Sequence, residues 1–296
     1  MGEAKTILAA LDLEAGSDAV LDRAIQLAGA QQAELILLHV IREEGAADAS
    51  FHMDLSKGKL CSQLEGHARA AIEAMFAGRR IGIPVDILVI FGAPYEVITR
   101  VARERGVDVI VIGPAQSTSL KEKILGSTAD RVLRTAPTPV LVVRRFSARP
   151  YRHVAAAIDF SPQSEETARQ VCRLVPEAAL RLVHVLDIPL PFQQAMLRAG
   201  SSQAAIDQYR SAQAKKIRND LDVLAGNIVV GGLLPVLVID GEPASALIGL
   251  SQRNDVDLLA LGSHGRGTVM QALLGSVAQR ILREAACDVL IARETH

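Results

Sequence analysis

Gly262-Ser-His-Gly265-Arg-Gly267-Thr-Val-Met-Gln-Ala-Leu-Leu-Gly275-Ser276 is the stretch of this 296-residue chain whose residue types and spacing most clearly point to chemistry. Two residues separate Gly262 from Gly265, nine separate Gly265 from Gly275, and a serine hydroxyl follows. Glycines let backbone N–H groups approach an anion with no Cβ in the way. A helix start placed after them adds unpaired donors and the positive end of its dipole. The chemistry this predicts is phosphate binding. Arg266 offers a cation for the same anion, whereas His264 reads as a surface loop residue.

Catalytic constellations are harder to assemble. Gly-x-Ser-x-Gly is absent, so no serine sits in a nucleophile elbow. His, Cys, Asp and Glu form no cluster with metal-ligand spacing. His39 and His184 occupy matching positions in two strand-like runs and read as structural residues near strand ends. The G-x-x-x-x-G-K-[ST] loop is missing, and Gly265-Arg-Gly267 lacks the third glycine of the dinucleotide fingerprint.

The elements that must position the glycine segment are written twice. Ile7-Leu-Ala-Ala-Leu-Asp12 recurs as Val154-Ala-Ala-Ala-Ile-Asp159, and Leu37-Leu-His-Val40 as Leu182-Val-His-Val185. Phe91-Gly-Ala-Pro94 matches Asp240-Gly-Glu-Pro243, and Val107–Gly113 matches Val256–Gly262. Pro139-Val-Leu-Val-Val-Arg144 matches Asp288-Val-Leu-Ile-Ala-Arg293. Internal repetition of this kind decides architecture. In the second copy the pattern predicts strands over 153–158, 180–185, 233–239, 256–261 and 287–292. Helices are predicted over 162–175, 203–225, 243–253 and 276–285, with Ser161-Pro162 as a capped start and variable insertions at 42–56 and 186–202. Near-continuous apolar strands alternating with helices give a parallel sheet covered on both faces. Ligands bind such sheets outside the carboxyl ends of their strands, where strand order reverses. Domains are therefore expected at 1–146 and 151–296, joined by the short linker Phe146–Pro150.

Composition narrows the class. Residues are 49% hydrophobic and 22% charged, with a formal charge of −1, which gives no general attraction to nucleic acid or anionic lipid. No apolar run reaches the roughly 18 residues of a membrane span, and the N-terminus has no signal-peptide layout. Cys61, Cys172 and Cys287 lie far apart, read as buried small residues, and form no disulfide framework. The expectation is a reduced, soluble, cytoplasmic protein without nucleic-acid or membrane partners.

On these residues the chain resembles the universal stress protein family, as two tandem copies spanning essentially the whole sequence. The most specific match is Gly262-x2-Gly265-x9-Gly275-Ser276-Val277, followed by Cys287-Asp-Val-Leu-Ile-Ala-Arg293. The resemblance implies an α/β fold of two Rossmann-like domains, each a five-stranded parallel sheet in the order 3-2-1-4-5. It also implies pairing of 138–143 with 287–292 about a pseudo-two-fold axis, and leaves a further homodimer open. It implies ATP or a related adenine nucleotide as ligand, with or without Mg2+. Asp159 would meet the ribose or adenine, and the backbone of Val185 the adenine edge. Gly262, Gly265, Arg266 and Gly267 would wrap the phosphates, while Gly275, Ser276 and Val277 present N–H groups and a hydroxyl.

The first copy departs from this pattern. Gly113-Pro-Ala-Gln116-x9-Gly126-Ser127 keeps the outer spacing but puts Gln116 where the second copy has Gly265. Pro114 removes a backbone donor. Asp12, Val40, Gly113, Gly126 and Ser127 would make a weaker second site, with Lys121 and Lys123 as substitute cations or as a solvated pair. The leading expectation is a stress-response sensor or regulator that binds nucleotide mainly in its second half. The alternatives are a slow ATP hydrolase or adenylyl-transfer enzyme, and a nucleotide-free scaffold that binds another metabolite in the first half.

Overall fold

The structure is a computed structural model and describes residues 5–42, 57–79, 82–114, 126–145, 149–228, 232–264 and 274–293. In chain order the first copy contains β1 (Thr6–Leu11), α1 (Ser17–Gln31), β2 (Glu34–Ile41), α2 (Lys57–Phe76), β3 (Val85–Phe91), α3 (Pro94–Glu104), β4 (Val109–Ile112), α4 (Ser127–Thr135) and β5 (Val140–Val142). The second contains β6 (His153–Ala157), α5 (Pro162–Leu174), β7 (Ala179–Leu186), α6 (Leu190–Arg198), α7 (Gln203–Ile228), β8 (Leu237–Asp240), α8 (Pro243–Ser251), β9 (Leu258–Gly262), α9 (Ser276–Glu284) and β10 (Asp288–Ala292). By compactness the chain divides into Met1–Pro150 with Asp288–His296, and Tyr151–Cys287.

In the first unit the sheet runs β3-β2-β1-β4-β5, all parallel, with β10 antiparallel to β5 and Leu290 opposite Leu141. In the second unit it runs β9-β6-β7-β8, again parallel. Central strands are aliphatic throughout. Ile7–Ala9, Leu35–Leu38, Val109–Ile112, Val154–Ala156 and Leu258–Leu261 are buried, as strands covered on both faces must be. β1 lies between β2 and β4, and β6 between β7 and β9. The chain therefore leaves the end of each of these strands toward one side while its other neighbour arrives from the second side. That divergence opens a crevice at the carboxyl rim of each unit.

Three local features differ from the sequence reading. Residues 190–198, read within a variable insertion, form α6. Pro189 and Pro191 disguise it, yet both fall at the helix start, where a missing N–H costs nothing. The eighth strand begins at Leu237 rather than at 233, since Pro235 cannot donate to the ladder and Leu233 makes only an isolated bridge to Leu180. Of the cysteines Cys287 is buried, whereas Cys61 and Cys172 are partly exposed.

The first unit is fastened to its last strand by a buried ion pair. Asp288 Oδ2 lies 3.3 Å from Arg23 Nε, with side-chain exposures of 1% and 4%. Its other oxygen, Oδ1, accepts from the backbone N–H groups of Arg144 (2.7 Å) and Arg145 (3.0 Å). Arg23 also donates to Gln26 Oε1 and the carbonyl of Arg149. Removing one member of such a set strands the other charge and two N–H groups away from water. Asp288→Ala is therefore expected to destabilise the protein by about 3–5 kcal/mol in urea unfolding followed by circular dichroism. A loss below about 1 kcal/mol, the scale of an exposed pair, would show that the cluster contributes little.

Candidate functional site

The crevice of the second unit is a cavity of about 360 Å³. Ile158 and Asp159 follow β6, Val183–Val185 come from β7, and Leu261–His264 end β9 and continue past it. Pro243 and Leu247 of α8 close one side, and Gly275–Ala278 bring in the start of α9. One wall is thus aliphatic, while a carboxylate and a helix N-terminus supply opposite electrostatic character at the rim.

Asp159 ends its strand by organising a turn. Its Oδ1 accepts from the N–H (3.0 Å) and Oγ (2.5 Å) of Ser161, and its own N–H donates to Ser164 Oγ at 3.3 Å. The residue between, Phe160, is held at φ +60°, and its counterpart Leu13 at +62°. Left-handed backbone at a non-glycine residue costs on the order of 1–3 kcal/mol and persists only where neighbours enforce it. Asp159 is therefore both a turn former and part of the cavity wall. His184 is a structural residue facing the same space. Its Nδ1 donates to the carbonyl of Ile158 at 2.7 Å, which fixes the tautomer, and its ring lies 5.2 Å from that of Phe160. His39 repeats the bond to Leu11 at 2.8 Å.

The start of α9 supplies the donors. Gly275 is the N-cap at φ −60° and ψ 150°, with no side-chain cap. Its N–H, expected to face a ligand, instead donates to the carbonyl of Ser263 at 2.9 Å. Gln279 is the first residue of this turn to bond back, to the Gly275 carbonyl at 2.9 Å. The N–H groups of Ser276, Val277 and Ala278 have no intrahelical acceptor, and all three residues line the cavity. Gly262 is closely packed rather than held at positive φ. A Cβ there would stand 3.1 Å from the His264 carbonyl oxygen and 3.3 Å from Gln163 Cγ. Gly265, Arg266 and Gly267 lie outside the described residues.

The first unit has a cavity of about 450 Å³ at the corresponding place, lined by Asp12, Val40, Gly113, Gly126 and Ser127 among others. Asp12 Oδ1 accepts from the N–H of Glu14 (3.1 Å) and from Ser17 Oγ (2.7 Å), and Gly126 again caps the following helix in extended backbone. Its other lining differs. Glu14, Arg42 and Pro114 stand where the second copy has Ser161, Asp187 and Ser263. Gln116, Lys121 and Lys123 fall outside the described residues. Sequence reasoning passed over Glu14, Arg42 and the serines Ser17 and Ser164. Aligning the repeats just beyond each strand-end aspartate contains that signal.

The profile described as "Universal stress protein family" matches residues 3–144 and 150–293. The chain belongs to the universal stress protein family. The universal stress protein Rv2005c of Mycobacterium tuberculosis is 27% identical over 240 residues, covering 77% of this chain and 74% of that protein. Universal stress protein MJ0577 of Methanocaldococcus jannaschii is 32% identical over 125 residues, covering 38% of this chain and 77% of that protein. Among solved structures, a universal stress protein from Archaeoglobus fulgidus aligns at a TM-score of 0.64 and 20% identity, over 98% of this chain and 99% of that one. That likeness shows the fold.

Within this family member the second crevice is braced by Glu242. Its carboxylate caps α8, accepting from the N–H groups of Ala244 and Ser245 at 2.9 Å each and from Ser245 Oγ at 2.6 Å. Arg280 on α9 donates to Glu242 Oε2 at 2.8 Å. In the first copy the matching positions hold Ala93, without a side-chain cap, and Arg131, which lies over the Tyr95 ring at 4.8 Å. The Ser245 hydroxyl and the two N–H groups, with Arg280 beside them, hold the Glu242 carboxyl down at about 2, from an ordinary 4.5. A depressed folded pKa stabilises the protein fully above the unfolded value and loses that contribution as pH falls through the folded one. Glu242→Ala is expected to cost about 1 kcal/mol at neutral pH, the scale of a lost N-cap. In urea melts the gap to wild type narrows from about pH 4.5 downward and closes near pH 2. A gap that is constant across that window would rule out the ionised cap.

Proposed function

We propose that this chain binds ATP or a related adenine nucleotide, with or without Mg2+, mainly in its second copy, and acts in the cytoplasm as a sensor or regulator of the stress response. The observation that carries the reading is the cluster of N–H groups of Ser276, Val277 and Ala278 at the rim of a cavity whose other side carries Asp159. Helix-start donors suit phosphate oxygens. A carboxylate suits ribose hydroxyls, which donate to it, and the aliphatic wall from Ile158, Val183 and Leu247 suits a base. The residues present therefore fit a nucleotide. Gly262, Gly265, Arg266 and Gly267 would complete its phosphate end, with Gly275 shaping it as the cap of α9, and the backbone of Val185 would meet the adenine. Nucleotide occupancy would alter the surface this rim shows to partners. The proposal includes pairing of the copies through 138–143 and 287–292.

A different lining supports a second reading for the first copy, whose crevice carries Glu14, Arg42 and Pro114. A motif with Gln116 in place of glycine and a proline in the loop would hold nucleotide weakly, or hold a metabolite of other chemistry. Asp12, Val40, Gly113, Gly126 and Ser127 would line either one.

Gly265→Gln transfers the first copy's residue into the second. Isothermal titration with ATP is expected to give one strong site per wild-type chain and affinity at least about tenfold lower in the variant, because a glutamine side chain would take up space that phosphate needs. Equal affinity in the two proteins would overturn the assignment of the site.

A further inference from the structure

Gln163, the second residue of α5, reaches across to the chain leaving β9. Its side-chain amide lies 2.7 Å from Ser263 Oγ. The amide oxygen is assigned toward Ser263, because there it also accepts the Ser263 N–H at 3.3 Å while the amide nitrogen donates to the His264 carbonyl at 3.2 Å. Ser263 is 2% exposed, so these bonds are shielded from water. Its carbonyl in turn holds the Gly275 N–H at 2.9 Å. The stem of Gln163 packs against Gly262, where a Cβ would approach its Cγ to 3.3 Å and its Cδ to 3.4 Å. One side chain thus ties down Gly262, Ser263 and His264 and, through Ser263, the cap of α9. Gln163 itself stands behind the cavity wall rather than in its lining.

Among the described residues the first copy has no equivalent tie. The position matching Gln163 is Gly16, which has no side chain, and the position matching Ser263 is Pro114, which has neither hydroxyl nor N–H. The remaining scaffold is shared, including the strand-end aspartate and the serine that bonds beside it. The tie is therefore specific to the copy that keeps the full glycine spacing.

We propose that Gln163 is a positioning residue of the second crevice, holding Ser263 and His264 against α5 and the α9 start in place so that the phosphate end is preformed. The role rests on the nucleotide reading given above. It also supplies a cause of asymmetry between the copies independent of Gln116. Preformed donors bind without an ordering cost, so losing the tie weakens only those ligands that use this end. Ribose and adenine, met by Asp159 and Val185, are indifferent to it.

The test compares ATP with adenosine on the full chain. Titration of wild type, Gln163→Ala, Ser263→Ala and the double variant is expected to show ATP affinity falling about five- to tenfold in each single variant, the worth of one or two shielded hydrogen bonds. The double variant should be little weaker than either single one, because both break the same tie. Adenosine affinity, measured by ligand-observed NMR, should stay within about twofold of wild type. Ligand-free thermal unfolding confirms that each variant is folded. Equal loss for ATP and adenosine would assign Gln163 to general packing and overturn the proposal, as would unchanged ATP affinity in Gln163→Ala. Wild type that binds adenosine or ATP with normal strength while the variants fail this pattern overturns the positioning role alone. Wild type that binds neither overturns the nucleotide reading and this role with it.

Discussion

A buried parallel strand cannot turn back on itself. Its chain must cross over before the next strand begins, and every crossover here departs from the same rim of its sheet. That constraint, more than any single contact, arranges the rest of each unit. Where β1 and β6 sit between neighbours reached in opposite directions, none of the described elements bridges the rim and a crevice is left. The residues that fall there are strand ends, turn formers and helix starts, which are the groups that carry free backbone polarity. Asp12 and Asp159 are placed by this geometry before any ligand is considered, and so are the unpaired N–H groups that begin α4 and α9. The left-handed Leu13 and Phe160 show the same constraint from the other side. The chain must turn sharply as it leaves a buried strand, and in both copies an Asp carboxylate and a buried serine make that turn affordable.

Duplication lets the constraint be seen twice with different side chains. The aliphatic strands, the histidine bonded to a strand-end carbonyl and the extended glycine cap recur in both copies. What changes is a set of polar side chains around the crevice. Glu242 and Arg280 brace one α-helical corner where Tyr95 and Arg131 stack in the other. Gln163 reaches Ser263 where Gly16 faces Pro114. These are not core residues, so substituting them leaves the sheet intact while it alters how firmly the rim is held.

The strands were the most legible part of the sequence, because covered parallel strands must be apolar on both faces and few other segments are. Helix starts were legible where a cap is local, as at Ser161-Pro162, whose side chain accepts the Ser164 N–H. α6 was hidden because its prolines look like breakers and its apolar residues face outward. Leu190 is 69%, Phe192 46% and Leu197 48% exposed, so no buried stripe marks a period. The strand-end aspartates and the α9 start were visible as motifs and line a crevice, although Gly275 spends its N–H on Ser263. Gln163 and Arg23 were not visible at all. Each acts across a long sequence separation, with Arg23 meeting Asp288 and Gln163 meeting Ser263, and no local pattern encodes such a meeting.

This separation between legible and hidden residues has a physical basis that bears on how one copy can diverge. Local motifs determine where donors and acceptors sit, and both copies retain them: a strand-end carboxylate, a helix start capped by glycine with no side-chain bond, and a cavity of several hundred cubic ångströms. The long-range ties determine how rigidly those groups are presented. A preformed rim binds a ligand without first ordering itself, whereas a loosely held one gives up part of its interaction energy to that ordering. A copy can therefore lose affinity through residues that never touch the ligand, while its fold and crevice persist. The first copy keeps its fold and crevice with Gly16 and Pro114 where the second has Gln163 and Ser263. Its core strands are as well buried as those of the second, its cavity is the larger of the two, and the residues it lacks are the ones that would fasten the rim.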